Sequence, residues 1–158
     1  MLTEKFFTPE DTATIEKVQK GMKKVLTIGI PIAIPLAALI GWLAARKNPK
    51  LIPLFVVIFI LIFVGPILFL LLKQLKNYRK DLFEGTKLSG ELIVKSLKSE
   101  KDKRFLIAFD SAEVKLIAVN KEVYERVAVG DQLYIEISKF SGTVFKLRNN
   151  EDLLIGTN

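Results

Sequence analysis

Apolar residues run almost unbroken along this chain from Val25 to Leu72, and from Asp81 onward they alternate with polar ones. Those two regimes predict two different structures. Val25–Ala45 contains no charged residue, and neither does Leu51–Leu72. Each run is long enough, as a helix, to cross the roughly 30 Å hydrocarbon core of a bilayer. Between them stands only Arg46-Lys47-Asn48-Pro49-Lys50. A connection this short makes the two helices antiparallel neighbours, so the pattern predicts a transmembrane hairpin over residues 25–80. Trp42 falls near one interface and reads as an anchor.

Beyond Asp81 the period drops toward two. Leu133, Ile135 and Ile137 alternate with Gln132, Tyr134 and Glu136, an inside–outside strand pattern. Strands are expected near 88–97, 104–109, 114–119, 132–138 and 143–147, with one helical turn over 121–126. Gly130-Asp131 suits a tight turn that launches a strand, and Ser141-Gly142 suits a hairpin. Five short strands predict a small all-β domain over residues 81–158, a barrel or a curled antiparallel sheet. The fold class is therefore a membrane helical hairpin followed by a small all-β domain.

The first 24 residues predict an N-terminal amphipathic helix. Thr8 can cap it, Pro9 suits its first position, and Glu10 and Asp11 suit its positive end. Ile15, Val18 and Met22 then recur at helical spacing on one face. Two readings stand side by side: a helix lying on the membrane surface, or an extension of the first span. A cleavable signal peptide is not expected, because the start carries Glu4 and no long apolar core.

Charge refines this picture. The net charge is +7, but residues 1–80 hold 12 Lys/Arg against 4 Asp/Glu, while residues 81–158 hold 12 against 13. The basic excess therefore flanks the apolar runs, where it attracts anionic headgroups and fixes topology. Lys17, Lys20, Lys23 and Lys24 precede the first run, and Lys73, Lys76, Arg79 and Lys80 follow the second. The connecting turn has three basic residues, so both termini are expected in the cytoplasm and the protein in the inner membrane. A near-neutral soluble domain gives no footprint for nucleic acid.

The chain contains no cysteine and no histidine. Disulfides, thiolate chemistry and the commonest general base and metal ligand are thereby excluded. Asp110, Glu113 and Asp131 are scattered rather than clustered, and no phosphate loop or nucleophile motif is present. No catalytic, metal or cofactor-binding residue is expected, and no cofactor.

In the first apolar run Gly29, Ala33, Ala37, Gly41 and Ala45 recur at every fourth position. Such a stripe lets helix backbones approach closely in lipid. It packs either on the second run of the same chain or, in addition, on another copy. Pro31, Pro35 and Pro66 mark either a hinge or ordinary tolerance of proline in membrane helices. Thr27 and the Trp42 indole are the only hydrogen-bonding side chains in these runs, so the hairpin by itself offers no conduction path.

Ser89-Gly90-Glu91-Leu92-Ile93-Val94-Lys95, Arg104-Phe105-Leu106-Ile107-Ala108-Phe109-Asp110 and Val123-Tyr124-Glu125-Arg126-Val127-Ala128-Val129-Gly130-Asp131 together resemble small bacterial β-domains of unknown function tethered to membrane helices. More distantly, residues 88–148 are similar to the oligonucleotide-binding-like barrel of NfeD-type membrane proteins, and their ending to the β-domain of small mechanosensitive channels. The resemblance implies a scaffold for partners and supplies no catalytic residue. The expected function is a non-enzymatic membrane-anchored adaptor or accessory subunit, in contact with lipid and with a protein partner or further copies of itself. The alternative is a subunit of an oligomeric channel or transport assembly.

Overall fold

The computed structural model describes residues 2–44, 49–100, 104–150 and 152–156. The chain divides into two compact units: Ala13–Lys80, and Met1–Thr12 together with Asp81–Asn158.

Residues 1–24, expected as one amphipathic helix, form two elements. Thr3–Phe6 is a strand, β1, and the helix α1 starts at Pro9 and runs unbroken to Ala44. Thr8 ends the strand segment with a capping box: its hydroxyl accepts from Asp11 N–H at 3.2 Å, and Asp11 Oδ2 accepts from Thr8 N–H at 2.8 Å. α1 is thus continuous from residue 9 through the first apolar run.

The second apolar run begins with a 3₁₀ turn at Pro49–Leu51 and continues through α2 (Ile52–Phe59), a π-helical turn (Ile60–Val64) and α3 (Gly65–Glu84). The wide turn directly precedes Pro66, whose ring collides with the carbonyl four residues back in a regular α-helix. Widening the helix there relieves that collision. Residues 45–48 lie outside the described residues, so the connecting turn is described only from Pro49.

Both apolar helices are long and hydrophobic enough to cross a membrane, and almost none of either is covered by the rest of the chain: 6% and 0% of their apolar windows are buried. Ile28, Ile32, Leu36, Leu39, Ile67 and Phe69 are all exposed. A groove of about 180 Å³ lies between the helices, lined by Val25, Leu26, Gly29 and Ala33 on one side and Val64, Ile67, Leu68 and Leu71 on the other.

The other unit is a curled antiparallel half-barrel with seven strands among the described residues, where five were expected. The five anticipated strands are β2 (Thr86–Glu100), β3 (Arg104–Phe109), β4 (Leu116–Val119), β5 (Gln132–Ser138) and β6 (Val144–Asn149). The additional ones are β1 and β7 (Asp152–Ile155). The spatial order is β4-β3-β2-β5-β6-β7, with β1 also pairing β2. Long β2 carries the curl. Its first part pairs with β1 and β5, and its second part pairs with β3 after a register shift between Val94 and Ser96.

Period two assigns the core. Leu92 faces Leu133, and Ile107 faces Ile117, in rows that point inward together with Val94, Phe109, Ile135, Ile137 and Leu147. The short helix α4 (Lys121–Glu125), capped by the Asn120 side chain on Val123 N–H at 2.8 Å, contributes Val123 to this core. Leu2, just before β1, is buried in the same cluster.

Candidate functional site: a charged clamp on the outer sheet face

The opposite face of β2 and β5 should be solvated by the same alternation, yet part of it is buried. Lys87 and Ser89 on β2 are among the buried polar residues, with Asp11 and Asp81. A buried ammonium survives only if it is paired. Lys87 Nζ lies 2.6 Å from Asp11 Oδ2 and 2.5 Å from Glu136 Oε2, and its charge stands 5.6 Å above the Phe145 ring.

The pairing extends into a network. Tyr134 donates its hydroxyl to Glu136 Oε1 at 2.7 Å and shares a 2.8 Å hydrogen bond with Ser89 Oγ. Lys5 of β1 donates to the same tyrosine oxygen at 3.4 Å, and Thr3 Oγ1 donates to Ser89 O at 3.0 Å. Burial alone raises the pKa of a carboxylate, but hydrogen bonds from Lys87 and Thr8 outweigh it and hold Asp11 below its ordinary value. Glu136 is likewise desolvated yet lowered, by Lys87 and Tyr134. Burial lowers the pKa of an ammonium, but the two carboxylates raise that of Lys87. The three groups are therefore ionised together, and Lys87 is a poor nucleophile or base.

A second set of contacts fastens the other end of the helical segment. Asp81, fully buried in the last turns of α3, accepts from Phe140 N–H through Oδ1 at 2.9 Å and from Ser141 N–H through Oδ2 at 2.8 Å. It thereby caps the β5–β6 turn. Gly85 ends α3 at a φ of 63°, the left-handed conformation favoured by glycine at a helix end. Lys139 reaches Glu4 at 2.9 Å and Glu84 at 3.6 Å. The Glu4 hydrogen bond leads in raising its pKa.

Finally, Phe7 N–H donates to Gly85 O at 2.7 Å. The segments that lead into α1 and out of α3 are thus hydrogen-bonded to each other and to one sheet. The arrangement is a mechanical clamp. Every polar group named in it has a partner, and among the described residues no cluster of three or more possible metal ligands occurs.

The residues singled out in the sequence fall elsewhere. Gly130 and Gly142 have φ values of 94° and 71°, which explains glycine at both turns. Asp131 Oδ2 accepts from Ala128 N–H at 2.8 Å and from Asn149 Nδ2 at 3.0 Å, tying the turn before β5 to β6. In the small-residue stripe, Gly29 and Ala33 line the groove, and Gly41 is buried. A Cβ placed on Gly29 would meet nothing within 4 Å, so the second run does not close on the helix there. Ala45 and the Ala37 side chain lie outside the described residues.

Sequence reasoning missed Asp11, Lys87, Glu136, Tyr134 and Asp81. Alternation marks Lys87, Ser89, Tyr134 and Glu136 as one polar face, but it carries no sign that the face is covered. No protein-family model, no curated protein and no solved structure matches this chain.

Proposed function

We propose that the chain is a membrane-anchored adaptor or accessory subunit without catalytic activity. Its two apolar helices form a hairpin in the inner membrane, and its β unit offers a surface to a partner in the cytoplasm. The observation that carries this reading is the near-complete exposure of two long apolar helices, 6% and 0% buried. Exposed apolar area on that scale needs a non-aqueous cover, and lipid supplies it along a helix whose backbone bonds are internally satisfied. The clamp supports the adaptor role. The segments before and after the two apolar helices, residues 1–12 and 81–85, belong to the β unit and are hydrogen-bonded to each other within it.

Extraction of membranes at alkaline pH in carbonate tests the anchor. The protein is expected to stay in the pellet, and release into the supernatant would refute insertion. A crosslinked partner recovered from gently solubilised membranes tests the adaptor role.

The open space at Gly29 favours a second reading, in which the stripe contributes to an oligomer. In that case further copies complete the packing of the first helix and the chain is a subunit of a larger channel or transport assembly.

A further inference from the structure

We infer that the groove between α1 and the second apolar run seats one acyl chain of an anionic phospholipid, whose phosphate rests on the lysines at the groove's open end. This rests on the membrane reading of the two helices. Every residue of the groove belongs to the Ala13–Lys80 unit.

The shape of the groove defines the chain. Its lining is aliphatic or glycine throughout, from Val25 to Ala33 on one side and from Val64 to Leu71 on the other. A rise of about 1.5 Å per helical residue makes it about 12 Å long, close to the roughly 15 Å that one leaflet contributes to the hydrocarbon core. The open space is also confined to that leaflet. A Cβ on Gly29 meets nothing within 4 Å, whereas Gly41, further along the same stripe of small residues, is buried. A second membrane helix packs along a whole span and would find this stripe open at one end only. A single acyl chain, entering from one leaflet, needs no more than that end.

Charge at the open end defines the headgroup. Val25 begins the first apolar run and Leu71 almost ends the second, so the groove opens at the membrane boundary. A depression of about 360 Å³ adjoins it there, lined by Gly21, Lys24, Val25, Ile28 and Gly29. A Cβ on Gly21 also meets nothing within 4 Å. No Asp or Glu occurs between Lys17 and Lys80. Lys20 pairs with Glu16 at 3.6 Å, but Lys23, Lys24, Lys73 and Lys76 have no ion-pair partner among the described residues. Lysine stems lie along apolar surface while their ammonium groups reach the headgroups, and each such cation attracts anionic lipid. Zwitterionic lipid matches the groove but not the charge. Free phosphate matches the charge but not the groove. An anionic phospholipid matches both.

Native mass spectrometry of the full chain, released from a non-ionic detergent containing equal amounts of dioleoyl phosphatidylglycerol and dioleoyl phosphatidylcholine, tests the inference. Phosphatidylglycerol should be retained in preference by about tenfold or more. Excess glycerol phosphate should not displace it. Lys23→Gln with Lys24→Gln should bring the two lipids level. Gly29→Leu fills the open space and should abolish retention with the melting curve unchanged. If that variant melts lower, photocrosslinking of the native chain replaces it: phosphatidylglycerol with a diazirine in its acyl chain should label residues 25–33 or 64–71. Equal retention of the two lipids, displacement by glycerol phosphate, or labelling elsewhere would overturn the inference. So would crosslinks between copies through single cysteines at position 29, which would place a second copy in the groove. A chain that stays in the carbonate pellet yet shows no lipid preference loses this inference and keeps the membrane reading.

Discussion

Asp11 and Lys87 stand 76 positions apart in the chain and meet at 2.6 Å, both side chains nearly buried. The contact joins the first turn of α1 to β2, and Glu136 completes it from β5. Removing one member of such a set leaves buried charge without compensation. Lys87→Met should therefore destabilise the β unit by about 3–5 kcal/mol, as for other broken buried pairs. The triple replacement Asp11→Leu, Lys87→Met, Glu136→Leu should recover much of that loss, because it leaves no orphaned charge. Thermal melts of the three proteins in one detergent decide this. A single variant as stable as the parent would show that water reaches the triad.

The same groups set a pH dependence. Asp11 and Glu136 titrate lower in the folded chain than their ordinary values of 3.8 and 4.5. Their contribution to stability is complete above those values and is lost as pH falls through the lower folded ones. Lys87 titrates above 10.5, so its contribution is complete below that value and disappears as pH rises past it. A plateau bounded by an acid limb and an alkaline limb is expected. In Lys87→Met the carboxylates lose their cation and are raised by burial and by each other, so the acid limb should shrink or invert. Identical acid limbs in both proteins would remove the triad as their cause.

β1 leads to a third prediction. Leu2 is buried with the core, and Thr3 to Phe6 pair with Ser89 to Thr86. A fragment of residues 81–158 lacks this strand. Joining residues 1–8 to it by a flexible linker should raise its stability, with burial of Leu2 alone worth about 1.5–3 kcal/mol. Denaturant melts of the two fragments measure the difference, and coincident curves would make β1 a passive passenger.

Much of the β unit was legible because its core obeys period two: Leu133, Ile135 and Ile137 face in, as their alternation requires. The turns at Gly130 and Gly142 were legible because the backbone there needs a positive φ. β1 was not legible. Its side chains are all exposed, so it carries no apolar alternation, and it is held by backbone pairing with β2 and by polar contacts of Thr3, Glu4 and Lys5. The clamp was hidden for a related reason. Lys87 and Glu136 look like any solvated strand face, and only the arrival of Asp11 from the far end of the sequence buries them.

Topology is open to a direct test, since the chain has no native cysteine. The basic flanks predict a cytoplasmic β unit and an outer turn. Single cysteines at Asn48 and Ser111 should differ toward an impermeant thiol reagent on intact cells, with labelling at position 48 and protection at position 111. The reverse pattern would invert the proposed orientation.

The small-residue stripe gives the last prediction, because its glycines differ. Gly41 is buried, whereas nothing lies within 4 Å of a Cβ built on Gly29. Gly41→Leu should push a neighbouring element away and cost on the order of 1–2 kcal/mol, the scale of helix contacts in membranes. Gly29→Ala adds a methyl group where there is room and removes a flexible residue from a helix interior. It should be neutral or stabilising by up to about 1 kcal/mol. Leu39, off the stripe and 52% exposed, should tolerate alanine. Melting in detergent ranks the three, and crosslinking between single cysteines on different copies identifies the neighbour. Crosslinks along the stripe that Gly41→Leu abolishes would assign it to an oligomer. Lost stability without crosslinks would assign it to the hairpin. Equal tolerance of Gly41→Leu and Leu39→Ala would leave the spacing as coincidence.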